Sequence, residues 1–185
     1  HVVARQSTSK TPVKKTSATA KSGVATYPLV ETGADLARAI AALARKCEVM
    51  RKMKKVAGVP ALRRNPPGFL GLCRIVVFQQ VSTASGNAIW SRVQAGIEPF
   101  TAKRLLALSD EEMRALGLSR PKVRTMRAVA EAVAGGVIDL ENLAPYPDQH
   151  IREQLVALHG IGPWTADIFL MFNLGRADAF AAGDL

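Results

Sequence analysis

The stretch that most constrains this chain is residues 151–172, where two apolar helical segments flank His159-Gly160-Ile161-Gly162. Ile151, Leu155 and Leu158 recur at i, i+4 and i+7, the spacing of one helix face. Pro163 opens the second segment, where its missing N–H costs nothing. Ile168, Met171 and Phe172 continue that helix. The glycines permit positive φ and present bare backbone. The helix start behind them leaves several N–H groups without a carbonyl partner and carries partial positive charge. A phosphate docks readily at such a place. A unit of this kind holds a nucleic-acid backbone without reading its sequence. Ile161 is expected to plug the gap between the two helices. A dinucleotide loop fits poorly, because the third glycine is absent and helix, not strand, precedes. An ordinary turn between two helices fits the same residues.

The charge balance points the same way. Twenty-five Lys and Arg against 15 Asp and Glu leave +10 on 185 residues. That surplus suggests a polyanionic partner, nucleic acid first and an anionic membrane surface second. An apolar fraction of 48% excludes global disorder. Two cysteines, Cys47 and Cys73, are too few for a disulfide scaffold or a four-cysteine metal cluster. The longest apolar runs are broken by Arg74 or by glycine, so no membrane span is expected. Residues 1–27 hold five basic residues and no acid, and read as a disordered basic tail. Such a tail is either a DNA tether or a solvated leader. Residues 45–64 hold eight basic residues and one acid, Glu48, which makes either a solvated face or a phosphate contact.

The remaining chain reads as helix. Thr32-Gly-Ala-Asp35 is a helix start, followed by Leu36, Ile40 and Leu43 on one face. Pro66-Pro67-Gly68 ends the basic stretch. Leu72, Ile75, Val76 and Gln79 share a helix face, although Ile75-Val76-Val77 could form a short strand. A further helix is expected from Ser82 to Gln94. Ser109-Asp-Glu-Glu112 is a capping box. Pro121 marks the next helix start, Val123, Met126, Val129, Ala130 and Val133 give that helix an apolar face, and Gly135-Gly136 stops it. No strand pair is evident, so the fold is expected to be all-α.

Leu158-His-Gly-Ile-Gly-Pro-Trp-Thr-Ala166 resembles the helix-hairpin-helix motif of the helix-hairpin-helix DNA glycosylase superfamily. Gly183-Asp184 follows 21 and 22 residues after Gly162, which is similar to the superfamily's loop and catalytic aspartate. Phe78-Gln-Gln-Val-Ser82 and Gly117-Leu-Ser-Arg-Pro-Lys122 match in order and spacing. The likeness is to the 3-methyladenine DNA glycosylase II branch. It covers about residues 28–185 and leaves out the basic tail.

The resemblance implies a role for each matched residue. Asp184 would be the catalytic carboxylate. Glycosidic cleavage passes through an oxocarbenium-like transition state, which an ionised carboxylate stabilises while orienting water. Trp164 stands where bifunctional members carry a nucleophilic lysine, so it implies the monofunctional, water-using branch. An aromatic there would line the base pocket, its face suited to a cationic methylated purine. Gln80 would enter the duplex where the damaged base is flipped out, and Gln79 would brace its loop. Gly160, Ile161, Gly162 and Thr165 would grip the DNA backbone, with the Thr165 hydroxyl on phosphate or capping its own helix. Lys122 and Arg124 face DNA or solvent, and Asp167 reads as surface or N-terminal-turn charge rather than as catalytic. No metal or cofactor is needed. The family continues past the aspartate, so the expected fold is a two-lobed, all-α helix-hairpin-helix glycosylase cut short at its C-terminus. The implied function is hydrolysis of the N-glycosidic bond of alkylated purines in double-stranded DNA; a monomer is the default, and a bacterial cytoplasm, where DNA and reduced thiols are, is the expected compartment. Two rivals stand beside it: a non-catalytic DNA-binding fragment, and a bifunctional glycosylase/lyase acting on oxidised bases.

Overall fold

Thr32 and Asp35 fix the first helix by capping one another. The Thr32 hydroxyl accepts from the Asp35 N–H at 3.2 Å, and the Asp35 carboxylate accepts from the Thr32 N–H at 2.7 Å. This helix, α1 (Gly33–Lys46), is followed by α2 (Glu48–Ala57). The basic stretch is thus largely helical, and α2 buries no residue. The computed structural model describes residues 28–182. The expected tail, 1–27, and the Gly183–Leu185 end with Asp184 lie outside the described residues.

The core is organised around α3 (Gly68–Phe78), which buries Phe69, Leu72, Cys73, Ile75, Val76 and Val77. A helix covered on several sides must be apolar on several sides, so the β-branched run is helical rather than extended. Around it lie α4 (Thr83–Gly96), α7 (Arg120–Ala134), α9 (Pro163–Ile168) and a 3₁₀ turn at Leu140–Asn142. Between α4 and α7 run α5 (Ala102–Leu106) and α6 (Asp110–Ala115), and α8 (Asp148–Val156) precedes α9. Ser82 caps α4, Thr101 caps α5, and the Ser109–Glu112 capping box opens α6. Among the described residues there is no strand, only a single antiparallel bridge between Leu29 and Arg176. None of the helices among the described residues is long and apolar enough to cross a membrane.

The helix expected through Met171 and Phe172 widens instead into a π turn, Phe169–Asn173. The Leu174 N–H reaches back five residues to the Phe169 carbonyl at 3.0 Å. The widening accompanies two contacts of Asn173. Its side-chain amide donates to the Pro66 carbonyl at 2.5 Å, and its own carbonyl accepts from Arg64 at 3.0 Å. Arg64 also donates to the Val30 carbonyl at 2.9 Å, and the Val30 N–H donates to Gly175 at 2.8 Å. These bonds join the smaller α1–α2 body, in which only Ile40 and Ala44 are buried, to the main core.

Candidate nucleic-acid interface

The α8–α9 connection is a tight hairpin built on two glycines with different physics. Gly160 has φ +79°, and a Cβ there would collide with the Thr125 hydroxyl of α7. Only glycine fits this position. Gly162 has φ −94°, a value any residue adopts, and a Cβ there would meet nothing within 4 Å. Of the two glycines, Gly160 alone uses the positive φ that both permit. Gly162 leaves bare backbone at the start of α9, and no side chain caps that helix.

Two of the expected backbone-gripping residues, Ile161 and Thr165, have buried side chains. The Ile161 side chain is 4% exposed within the core, and its N–H donates to the Leu158 carbonyl at 3.1 Å. Ile161 plugs the gap between the helices, and its donor is used inside the turn. The Thr165 hydroxyl points inward: the residue is 2% exposed and accepts from Gln79 Nε2 at 2.9 Å. That hydroxyl accepts the Gln79 amide, and no side chain caps α9.

The partner of that bond belongs to the second motif. After Phe78 the chain turns through Gln79 and Gln80 into the Ser82 cap of α4. Gln80 has φ +54° and is the one non-glycine residue with positive φ among the described residues. It is exposed at the tip of the turn. A left-handed residue with a Cβ costs about 1–2 kcal/mol, and such outliers concentrate at binding and catalytic sites. The turn is held from two sides. Gln79 ties it to α9, and Lys122 Nζ of α7 donates to the Val77 carbonyl at 2.7 Å in the last turn of α3. Burial lowers the Lys122 ammonium pKa below the ordinary lysine range. Lys122 thus faces the protein, whereas Arg124 is exposed.

Trp164 is half-buried beside Thr165, packed against the core. His159 is exposed at the hairpin turn. Asp167 accepts two bonds from Arg152, at 2.6 and 2.8 Å, and so locks α8 to α9 across the hairpin. A cavity of about 410 Å³ beside the C-terminal segment is lined by residues including Leu36, Met171, Phe172, Arg176 and Ala179, and Trp164 does not line it. Sequence reasoning missed the Arg152–Asp167 pair and the Lys122 bond, because neither follows from a spacing rule.

Residues 73–185 match the model of the HhH-GPD superfamily base excision DNA repair proteins. The chain belongs to this superfamily. It is 34% identical over 119 residues to DNA-3-methyladenine glycosylase 1 of Schizosaccharomyces pombe, covering 62% of this chain and 52% of that protein. It is 32% identical over 122 residues to a probable bifunctional transcriptional activator/DNA repair enzyme AlkA of Mycobacterium tuberculosis, over 60% of this chain and 24% of that one. The chain thus spans about half the length of the first of these relatives and a quarter of the second. Among solved structures, a DNA-3-methyladenine glycosidase of Bacillus halodurans superposes with TM-score 0.70 at 32% identity, over 80% of this chain and 69% of that one. An S. pombe 3-methyladenine DNA glycosylase in complex with abasic DNA superposes with TM-score 0.73 at 28% identity, over 80% and 75%. In this HhH-GPD chain, the Gln79–Thr165 bond holds together the Gly160–Gly162 hairpin and the Gln80 turn, both within the matched residues.

Proposed function

We propose that this chain is a monofunctional DNA glycosylase that hydrolyses the N-glycosidic bond of alkylated purines of the 3-methyladenine type. The observation that carries the reading is the Gln79–Thr165 bond at 2.9 Å, which holds an exposed, left-handed Gln80 against the hairpin. A backbone clamp joined to a projecting side chain suits base flipping, in which the target nucleotide leaves the stack at an unstacking cost. The clamp fixes the duplex, and the side chain fills the space the extruded base leaves.

In this reading Gly160 and Gly162 bring the phosphate backbone onto the start of α9, with Ile161 and Thr165 supporting them from inside. Trp164, next to the Gln79–Thr165 bond, stacks on the extruded base. A methylated purine with a positive ring is already a good leaving group and is attracted to an electron-rich aromatic face. Such a substrate needs little activation beyond flipping and one carboxylate, the role assigned to Asp184. Tryptophan offers no amine, so no covalent amine intermediate forms at position 164. Names of relatives support the substrate class: one is a DNA-3-methyladenine glycosylase and another a DNA-3-methyladenine glycosidase by name. The partner is double-stranded DNA. One copy supplies both motifs, so a monomer suffices. The test is a duplex carrying 3-methyladenine. Free base should appear with the strand unbroken until alkali or heat is applied. Prompt scission with a borohydride-trapped adduct would overturn the reading.

A further inference from the structure

Lys122 and Thr125 lie three residues apart on α7, and each supports a different motif. Thr125 is 5% exposed and lies directly beneath Gly160 of the hairpin. Lys122 Nζ donates to the Val77 carbonyl at 2.7 Å, one residue before Phe78 ends α3. Carbonyls in a helix's last turn lack intrahelical donors, and a lysine ammonium there both satisfies one and opposes the negative end of the helix dipole. Burial disfavours the charged form, so the ammonium stands there at a cost that the carbonyl bond offsets. Hydrogen bonds made by charged groups are worth about twice neutral ones.

We propose that Lys122 is a positioning residue: through the Val77 carbonyl it holds the end of α3 and sets where Gln80 stands relative to the Gly160–Gly162 hairpin. The link to DNA rests on the proposed duplex role of Gln80. One face of α7 then carries both motifs. Thr125 sets the height of the hairpin, Lys122 sets the turn, and Gln79–Thr165 closes the triangle from the far side. Without Lys122 the end of α3 should fray, while the hairpin keeps its own support.

The test uses the whole chain, with Lys122→Met, which keeps the length and removes charge and donor, and Lys122→Arg, which keeps both. Amide hydrogen exchange at Phe78 and Gln79 should accelerate about tenfold in Lys122→Met, with amides of α7 and α8 changing less than twofold. Lys122→Arg should restore the slow exchange. Should Lys122→Met fail to fold, Lys122→Gln, with a shorter reach, should give a graded acceleration at the same two amides. Unchanged exchange there, or equal acceleration across α7 and α8, would overturn the proposal. In parallel, 2-aminopurine beside an abasic analogue reports unstacking. Lys122→Met should lose most of the fluorescence rise while Kd for undamaged duplex stays within twofold. If Gln80→Gly keeps the full rise, the duplex role of Gln80 fails. The exchange data then judge the support of the turn alone.

Discussion

Gln79 and Thr165, 86 positions apart in sequence, meet through one bond of 2.9 Å between a side-chain amide and a buried hydroxyl. The bond ties the turn after α3 to the first turn of α9. Thr165→Val keeps the shape and removes the acceptor, which leaves the Gln79 amide part-buried without that partner. An orphaned polar group costs about 1–3 kcal/mol. Urea denaturation should show a loss of that size. Adding Gln79→Leu should recover part of it, because removing both partners is cheaper than removing one.

Gln80 gives opposite signs for stability and activity. Glycine at this left-handed position relieves the strain, so Gln80→Gly should raise unfolding free energy by up to about 1 kcal/mol. The same change should lower single-turnover base release at least tenfold. A variant that is more stable and equally active would show that the strain serves no DNA contact.

The two hairpin glycines should separate cleanly. Gly160→Ala forces a methyl against Thr125 at φ +79° and should destabilise by about 2–4 kcal/mol. Gly162→Ala meets no protein atom within 4 Å and should change stability by less than about 0.5 kcal/mol. In the proposed clamp its methyl would stand where a phosphate approaches, so Kd for duplex DNA should rise about tenfold at fixed salt. Equal effects of the two substitutions on Kd and stability would contradict this division.

Two capping boxes predict an acid limit. Hydrogen bonds from Thr32, its hydroxyl first, hold the Asp35 carboxyl below the usual aspartate range. The Ser109 backbone N–H, then its hydroxyl, holds Glu112 below the usual glutamate range. In the window between the depressed folded values and the ordinary carboxylate values, the unfolded chain binds more protons, so stability rises with pH there. Their contribution is present above the ordinary values and lost as pH falls through the folded ones. Urea midpoints measured from pH 6 down to pH 3 should fall, and Asp35→Asn with Glu112→Gln should flatten the fall.

Much of this was legible in the sequence because it is local. Thr32–Asp35, Ser82, Ser109–Glu112 and the N-terminal prolines of α7 and α9 act within one helical turn, so spacing reveals them. The hairpin was legible for the same reason. The Gln79–Thr165 bond is not legible in the sequence, because the two residues are far apart along the chain and meet only once the core has formed. Ile168, Met171 and Phe172 keep α periodicity, yet Asn173 turns inward to Pro66 and the helix widens. From sequence Lys122 faces either DNA or solvent, and a lysine's spacing cannot tell which carbonyl its flexible chain will find. The β-branched Ile75–Val77 is helical because α3 is covered on several sides.

The central claim is tested most directly by release of 3-methyladenine from methylated duplex DNA, comparing the chain with its Asp184→Asn variant at one fixed salt concentration. The account predicts base release by the chain and a loss of at least a hundredfold in the variant, with duplex binding retained by both. Release at equal rates from both, or binding without release from either, would contradict it.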